Sequence, residues 1–338
     1  MSEKFCIFCG KKPENKNLEH VIPQWLIRLA GQERKDVFAF LPKEHRHLTF
    51  LNYKFPACTK CNTKYADMEA RVKPVVENVL SGGAINGAEA SLLLDWFDKV
   101  RVGLWLTEMF YNPKLKDEVE PHFFIDSRVG TADRMLSIKK LDIGATDGGI
   151  LFNGTNSVLF TYCPSAFTMV INDYYFFNAS NTNIVSPRIG FPIVRHAVVE
   201  DKITGKFSGD IDFGRQKILS PVIKGFLPDK DSITFYQPIY KDFIGVPMPD
   251  ATAEYVAQHS YDIANGIGGV FVQKGNTNNI RYLQETDKTN INIKPIKFPD
   301  IARDVVNFQN TIYEVSPVKN AETQLGMMIN KQFLENTK

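Results

Sequence analysis

Two CxxC pairs, Cys6 with Cys9 and Cys58 with Cys61, constrain this chain more than any other feature of it. Each pair sets two thiols on one side of a tight turn whose backbone amides point at sulfur, and two such turns supply the four tetrahedral ligands that zinc takes. Gly10, next after Cys9, suits the left-handed residue of such a turn. Redox pairs or four unrelated core cysteines would not ordinarily repeat one spacing, so the expectation is a shared structural zinc held by Cys6, Cys9, Cys58 and Cys61. A site closed by four thiolates has no open coordination position, which makes this metal scaffold rather than catalyst. Five cysteines in 338 residues are no small-domain disulfide framework. The fifth, Cys163, reads as a buried core thiol.

The chain is long enough for about two domains. Its hydrophobic content of 43% with 23% charged residues is that of a soluble globular protein. No segment approaches the roughly 18 apolar residues of a membrane span, and the opening MSEKFCIFCGKK lacks a secretory apolar core. A cytoplasmic protein with no membrane partner is expected. The net charge of +2 by itself identifies no partner, but its distribution is uneven. Residues 1–80 hold 14 Lys and Arg against 9 Asp and Glu, leaving 26 against 29 for the remainder.

Periodicity gives the coarse organisation. LEHVI reads as a short strand, Pro23 as the opening of a helix ending near Gly31, and HLTFLNYKF as a second strand. CNTKYADMEARVKPVVENVL has helical spacing with Pro74 as a kink or break. Gly82, Gly83 and Gly87 mark a soft boundary, dividing the chain at 80/81. Beyond it, AEASLLLDWFDKVRVGLWLTEMFY is apolar around most of its circumference and predicts a helix buried between layers. HFFID, MLSIKKL, ILFNG, SVLFTYC, FTMVIND and YYFFNAS read as strands, and 251–264, 300–311 and 320–334 as helices. The fold class expected is α+β: an amino-terminal module over 1–80, then a larger mixed region over 81–338 with an antiparallel sheet.

Three residues beside the cysteine pairs suggest chemistry: Glu19 and His20 in LEHVIP, and Asn62 directly after Cys61. The order CxxC, acidic-His-apolar-apolar-Pro, CxxCN resembles the ββα-metal fold of the HNH endonucleases, in particular their zinc-stapled members. That resemblance covers about the first seventy residues, and nothing beyond them carries a recognised motif. It implies that His20 is the general base taking a proton from the attacking water, a task suited to a neutral imidazole near pH 7. It further implies that Glu19 and Asn62 hold one Mg²⁺ or Mn²⁺, and that Asn52 braces the loop that positions His20. Glu19 stands where Asp is more frequent, Asn62 where many members have His, and a long insertion separates His20 from Cys58. Adjacent strand residues face opposite ways, so Glu19 and His20 can share one phosphate only where the strand ends or twists. The implied activity is phosphodiester hydrolysis, with nucleic acid, DNA first, as partner. The implied setting is phage defence or restriction.

The blander readings stand beside these. His20 and Glu19 can be an ordinary hydrogen-bonded pair, and Asn62 a helix N-cap. Glu69, two turns beyond Asn62, can assist the metal or be an ordinary helix carboxylate. Lys60 and Lys64 can meet phosphates or only water, and His45 and His47 in KEHRH are exposed residues or substitutes in the site. Lys99, Arg101, Arg128 and Arg134 lie near Asp98, Asp126 and Asp133, which predicts charges fixed by acidic neighbours at a junction; an extended nucleic-acid surface competes. A zinc-knuckle nucleic-acid-binding or protein-interaction module without hydrolysis is the alternative function.

Overall fold

The structure, a computed structural model, describes residues 5–14, 17–37, 48–111, 121, 123–130, 133–144, 148–155, 159–160, 165–181, 192–200, 203, 207–215, 230–237, 269–276, 280–315 and 321–336. Cys163, His45, His47 and the expected helix at 251–264 lie outside them.

The chain opens with the first cysteine pair and strand β1 (Leu18–His20). Pro23 precedes helix α1 (Gln24–Leu29), and its carbonyl accepts the amides of Leu26 and Ile27 at 2.9 and 3.1 Å. Gly31, at φ +62°, follows this helix. The predicted second strand is shorter than HLTFLNYKF: Phe50–Asn52 form a 3₁₀ turn, and only Lys54–Pro56 pair as β2. Register is antiparallel, Leu18 facing Pro56, Glu19 facing Phe55 and His20 facing Lys54. Helix α2 (Thr59–Leu80) begins at the second cysteine pair and runs unbroken through Pro74. Ala70 and Pro74 are both exposed, so water can satisfy the carbonyl that the proline leaves without an amide. Gly82, at φ +76°, ends the helix, and its amide donates to the Val79 carbonyl.

After β3 (Ala84–Ile85) comes the long α3 (Gly87–Tyr111), buried almost throughout from Leu93 to Met109 as its sequence predicts. Of the expected strand HFFID, the described residues 123–126 form no strand, and Ile125 and Asp126 open a 3₁₀ turn, Ile125–Ser127. The strands that follow are β4 (Asp133–Lys140), β5 (Ile150–Asn153), β6 (Ala166–Ile171), β7 (Tyr174–Asn181), β8 (Pro192–Glu200) and β9 (Phe207–Arg215). Then come β10 (Ile233–Gln237), β11 (Phe271–Lys274), β12 (Ile280–Tyr282) and β13 (Thr289–Asn290), before helices α4 (Ile301–Val315) and α5 (Ala321–Asn336). Seven strands form an antiparallel sheet ordered β12-β11-β10-β4-β7-β6-β5, while β8–β9 and β3–β13 pair separately. The fold is therefore α+β with antiparallel sheets.

Period-two alternation divides the large sheet between two cores. Leu136, Ile138, Phe167, Met169, Tyr174, Phe176 and Phe235 face α3 and the amino-terminal segments. Their neighbours Met135, Val170, Tyr175, Phe177 and Tyr236 pack with Val305, Phe308 and Ile312 of α4. The first core is continuous from Cys6 through α3 to Ile293, so residues either side of the Gly82–Gly87 turn share one hydrophobic cluster. No described helix is long and apolar enough to cross a membrane.

Candidate metal and catalytic site

The four sulfurs of Cys6, Cys9, Cys58 and Cys61 lie within 4.8 Å of one another, Cys9 and Cys58 at 3.9 Å. Thiolates about 2.3 Å from one tetrahedral zinc sit roughly 3.8 Å apart, so this donor set fits a metal ion such as zinc. Local geometry explains the gathering. The Gly10 amide closes the first turn onto the Cys6 carbonyl at 2.9 Å, with Gly10 at φ +73°, and the Cys58 amide donates to the Cys6 sulfur at 3.2 Å. A Cβ on Gly10 would also lie 2.3 Å from the Phe124 ring.

Electrostatics point the same way. Burial, and then the neighbouring Cys6 and Cys9 thiols, push the Cys58 thiol up to about 11, and Cys61 is raised further for the same reasons. Burial also works against ionising Cys6, but amide donors from Cys58, Cys9 and Phe8 outweigh it and hold that thiol below its ordinary value. Four such thiols ionise together only around a cation.

The clamp binds the strand pair to α2. Phe8, between the first two cysteines, stacks on Tyr65 of α2 with centroids 4.2 Å apart, and the Ile7 amide donates to the Pro56 carbonyl of β2. Tyr65 and Lys64 donate to Asp126 at 2.7 and 2.9 Å. Lys64 is thus paired, while Lys60 is exposed.

His20 is the last residue of β1. One ring nitrogen, Nε2, lies 3.1 Å from the Leu51 carbonyl. A carbonyl only accepts, so Nε2 carries the proton and Nδ1 is left basic, 3.3 Å from the Gln24 amide. Arg28 donates to Gln24 Oε1 at 3.3 Å, turning that amide nitrogen toward the imidazole. Burial, then the Lys54 charge opposite, hold His20 below its ordinary value, so the ring is neutral at pH 7. The brace on His20 is the Leu51 backbone. The adjacent Asn52 is exposed; its carbonyl accepts from the Tyr111 hydroxyl at 3.3 Å, and its carboxamide makes no hydrogen bond among the described residues. Asn62 sits in the first turns of α2, half-buried, its amide on the Cys58 carbonyl. Cys58, not Asn62, is the helix N-cap.

Glu19 points the other way, as strand alternation requires. Its Oε1 accepts from Lys99 Nζ at 2.6 Å, and the same ammonium, fully buried on α3, donates to Glu69 of α2. Burial alone would lower the Lys99 value, but Glu69 and then Glu19 raise it above the ordinary one, which marks it as charged. Glu69 is raised by burial and by Glu19 despite Lys99, since one cation serves two carboxylates. Glu19 is therefore not paired with His20, and Glu69 is not a free helix carboxylate.

Of the remaining charges, Arg101 and Arg134 are fixed by acidic neighbours as expected, while Lys99 and Arg128 take other partners. Arg101 and Arg134 converge on Asp98 at 2.8 and 2.9 Å, Arg134 also meets Asp95 at 2.7 Å, and Arg128 donates to the Ser180 carbonyl at 3.2 Å. Lys99 ignores the neighbouring Asp98 for Glu19 and Glu69. Arg101, Arg128 and Arg134 are buried and so offer no nucleic-acid surface. What sequence reasoning missed is the Lys99 pairing, the Leu51 carbonyl and the Gln24–Arg28 relay. A charged trio, Asp98 to Lys99 to Arg101, inside an apolar helix was the available signal, because buried charges require partners. A cleft of about 1150 Å³ between the end of α1 and β5, lined by Gln32, Lys35, Asp142 and Gly149, includes none of the candidate site residues.

Comparison of the chain with protein-family models, curated protein sequences and solved structures gave no match.

Proposed function

We propose that this chain is a metal-dependent endonuclease of the HNH type that hydrolyses phosphodiester bonds in DNA. The observation that carries the reading is the setting of His20: a neutral imidazole, oriented by a backbone carbonyl, at the end of a strand paired with the one that leads through the four-cysteine cluster into the helix bearing Asn62. Zinc in that cluster would be structural. His20 Nδ1 takes the proton of the attacking water, and the Leu51 carbonyl stabilises the imidazolium that results. Lys54, across the strand pair from His20, favours the neutral base and offers positive charge to a phosphate.

Glu19 Oε2 and the Asn62 carboxamide oxygen are the hard donors that suit Mg²⁺ or Mn²⁺. Neither accepts a hydrogen bond among the described residues, and Lys99 occupies only Oε1 of Glu19. Such an ion supplies charge stabilisation at the phosphorus and the leaving oxygen. Phage defence or restriction is the setting by analogy.

A second reading has its own observation. Glu19 faces Lys99 while His20 faces Gln24, an arrangement that suits a zinc-knuckle module that binds nucleic acid or protein without cutting. Plasmid nicking with Mg²⁺ or Mn²⁺, wild type against His20→Ala, separates the two. Nicking lost in the variant supports the nuclease; binding of DNA with no nicking under either metal supports the module.

A further inference from the structure

Lys99 raises a question that simple ion pairing does not answer. Its ammonium is fully buried, is carried mid-way along α3, and meets carboxylates from β1, which pairs with β2 just ahead of Cys58, and from α2, which begins at the second cysteine pair. It also lies 5.9 Å from the centroid of Phe8, inside the first cysteine turn. One carboxylate neutralises one ammonium; here there are two, and a surplus buried carboxylate costs stability unless it serves another purpose.

We infer that Lys99 is a positioning residue, a resident cation that competes with the divalent ion for Glu19 and withdraws onto Glu69 when that ion binds. This rests on the reading of Glu19 as a metal ligand. Charge counting gives Glu69 its place. Were Glu69 absent, a metal that drew Glu19 away would strand a buried ammonium, and loading would be opposed by that uncompensated charge. With Glu69 present, Lys99 keeps a partner in both arrangements, so Glu19 is releasable. The trio as folded carries one net negative charge; a divalent ion turns that to one net positive charge, a balance suited to a single phosphodiester.

The two neighbours should therefore act in opposite directions on metal affinity. Lys99→Gln keeps an amide donor but removes the competing charge, and Mn²⁺ should bind about tenfold tighter or more. Glu69→Gln leaves Lys99 with Glu19 alone, and Mn²⁺ should bind about tenfold weaker. The measurement is a Mn²⁺ titration followed by electron paramagnetic resonance on the full chain with its cysteine cluster loaded with zinc, with Glu19→Ala as the variant that loses the signal. A purely structural trio predicts otherwise, because damage to packing loosens a site and never tightens it. Weaker or unchanged binding in Lys99→Gln overturns the inference. Should that variant fail to fold, Glu69→Gln, which keeps the Lys99–Glu19 pair, decides: unchanged or tighter binding there overturns it. His20-dependent nicking by the wild type alongside such a result leaves the nuclease reading standing, whereas a wild type that neither binds Mn²⁺ nor nicks DNA overturns both.

Discussion

Replacing Cys58 by Ala leaves three sulfurs, too few to close the tetrathiolate site, and with the zinc goes its link between the first turn and the start of α2. Its cost follows from chain statistics. Cys9 and Cys58 are separated by 49 positions, and freeing a closed loop of that length returns conformational entropy to the unfolded chain worth about 4 kcal/mol. Zinc joins the same two points that a covalent bridge would, so this figure applies to the loss of the link. The aromatic contacts do not depend on metal: Phe8 on Tyr65 and Phe5 on Phe55 remain, at centroid distances of 4.2 and 5.1 Å. Loosening of the β1–β2 pair and of the first turns of α2, rather than collapse of the large sheet, is the expected picture. Elemental analysis should find one zinc per wild-type chain and none in Cys58→Ala. Denaturant unfolding should show the loss of stability, and a chelator applied to the wild type should reproduce it. Because burial and neighbouring thiols raise Cys58 to about 11, zinc must displace protons, and its affinity should fall as the pH is lowered. A zinc-free wild type, or a chelated protein that melts unchanged, would refute the reasoning.

Three further outcomes can be checked. His20 is held below its ordinary value by burial and Lys54, so the acid limb of the nicking rate should lie below about pH 6.5; in Lys54→Gln it should move to higher pH, and an unmoved limb would remove Lys54 from that role. Glu108, buried on α3 and raised by burial to about 7 despite a hydrogen bond from Thr155, contributes stability below its unfolded value near 4.5 that is lost as pH rises through 7. Glu108→Gln should therefore stabilise by about 3 kcal/mol at pH 8 and by little at pH 4, and equal urea midpoint shifts at the two would contradict this. A Cβ on Gly103 of α3 would approach Val21 Cγ1 to 2.8 Å, so Gly103→Ala should cost about 1–3 kcal/mol in thermal unfolding despite its gain in helix propensity, and a more stable variant would show that the contact yields freely.

Much of the fold was legible because single residues impose it. The cysteine pairs predict the cluster, Pro23 and Gly31 bracket α1, and the unbroken apolar run predicts the burial of α3. Strand alternation in MLSIKKL, FTMVIND and YYFFNAS survives as the division of the sheet between two cores. The misjudged segments are those where context overrides local pattern. HLTFLNYKF alternates along its length, yet after Thr49 bridges Asp36 the amide of Asn52 folds back to the Thr49 carbonyl at 2.9 Å, and pairing with β1 starts only at Lys54. Pro74 breaks nothing because its side of α2 faces water.

The site was legible as a set of residues and illegible as a set of partnerships. Glu19 and His20 are neighbours in sequence, but a strand turns them to opposite faces, so one meets Lys99 from α3 and the other the Leu51 carbonyl. Spacing cannot foretell a partner 80 positions away, which is the separation of Lys99 from Glu19. Helix α3 is where those distant partners meet. Lys99 reaches β1 and α2; Asp98, one position earlier and so about 100° around the helix, holds Arg134 of β4. The helix is apolar enough to be buried between the amino-terminal segments and the sheet, and once buried, each of its charges must find a partner in one or the other. The same burial that makes α3 a core element thus makes it the connection between the large sheet and Glu19, and a displacement of α3 by the sheet region would reach the candidate metal ligand through Lys99.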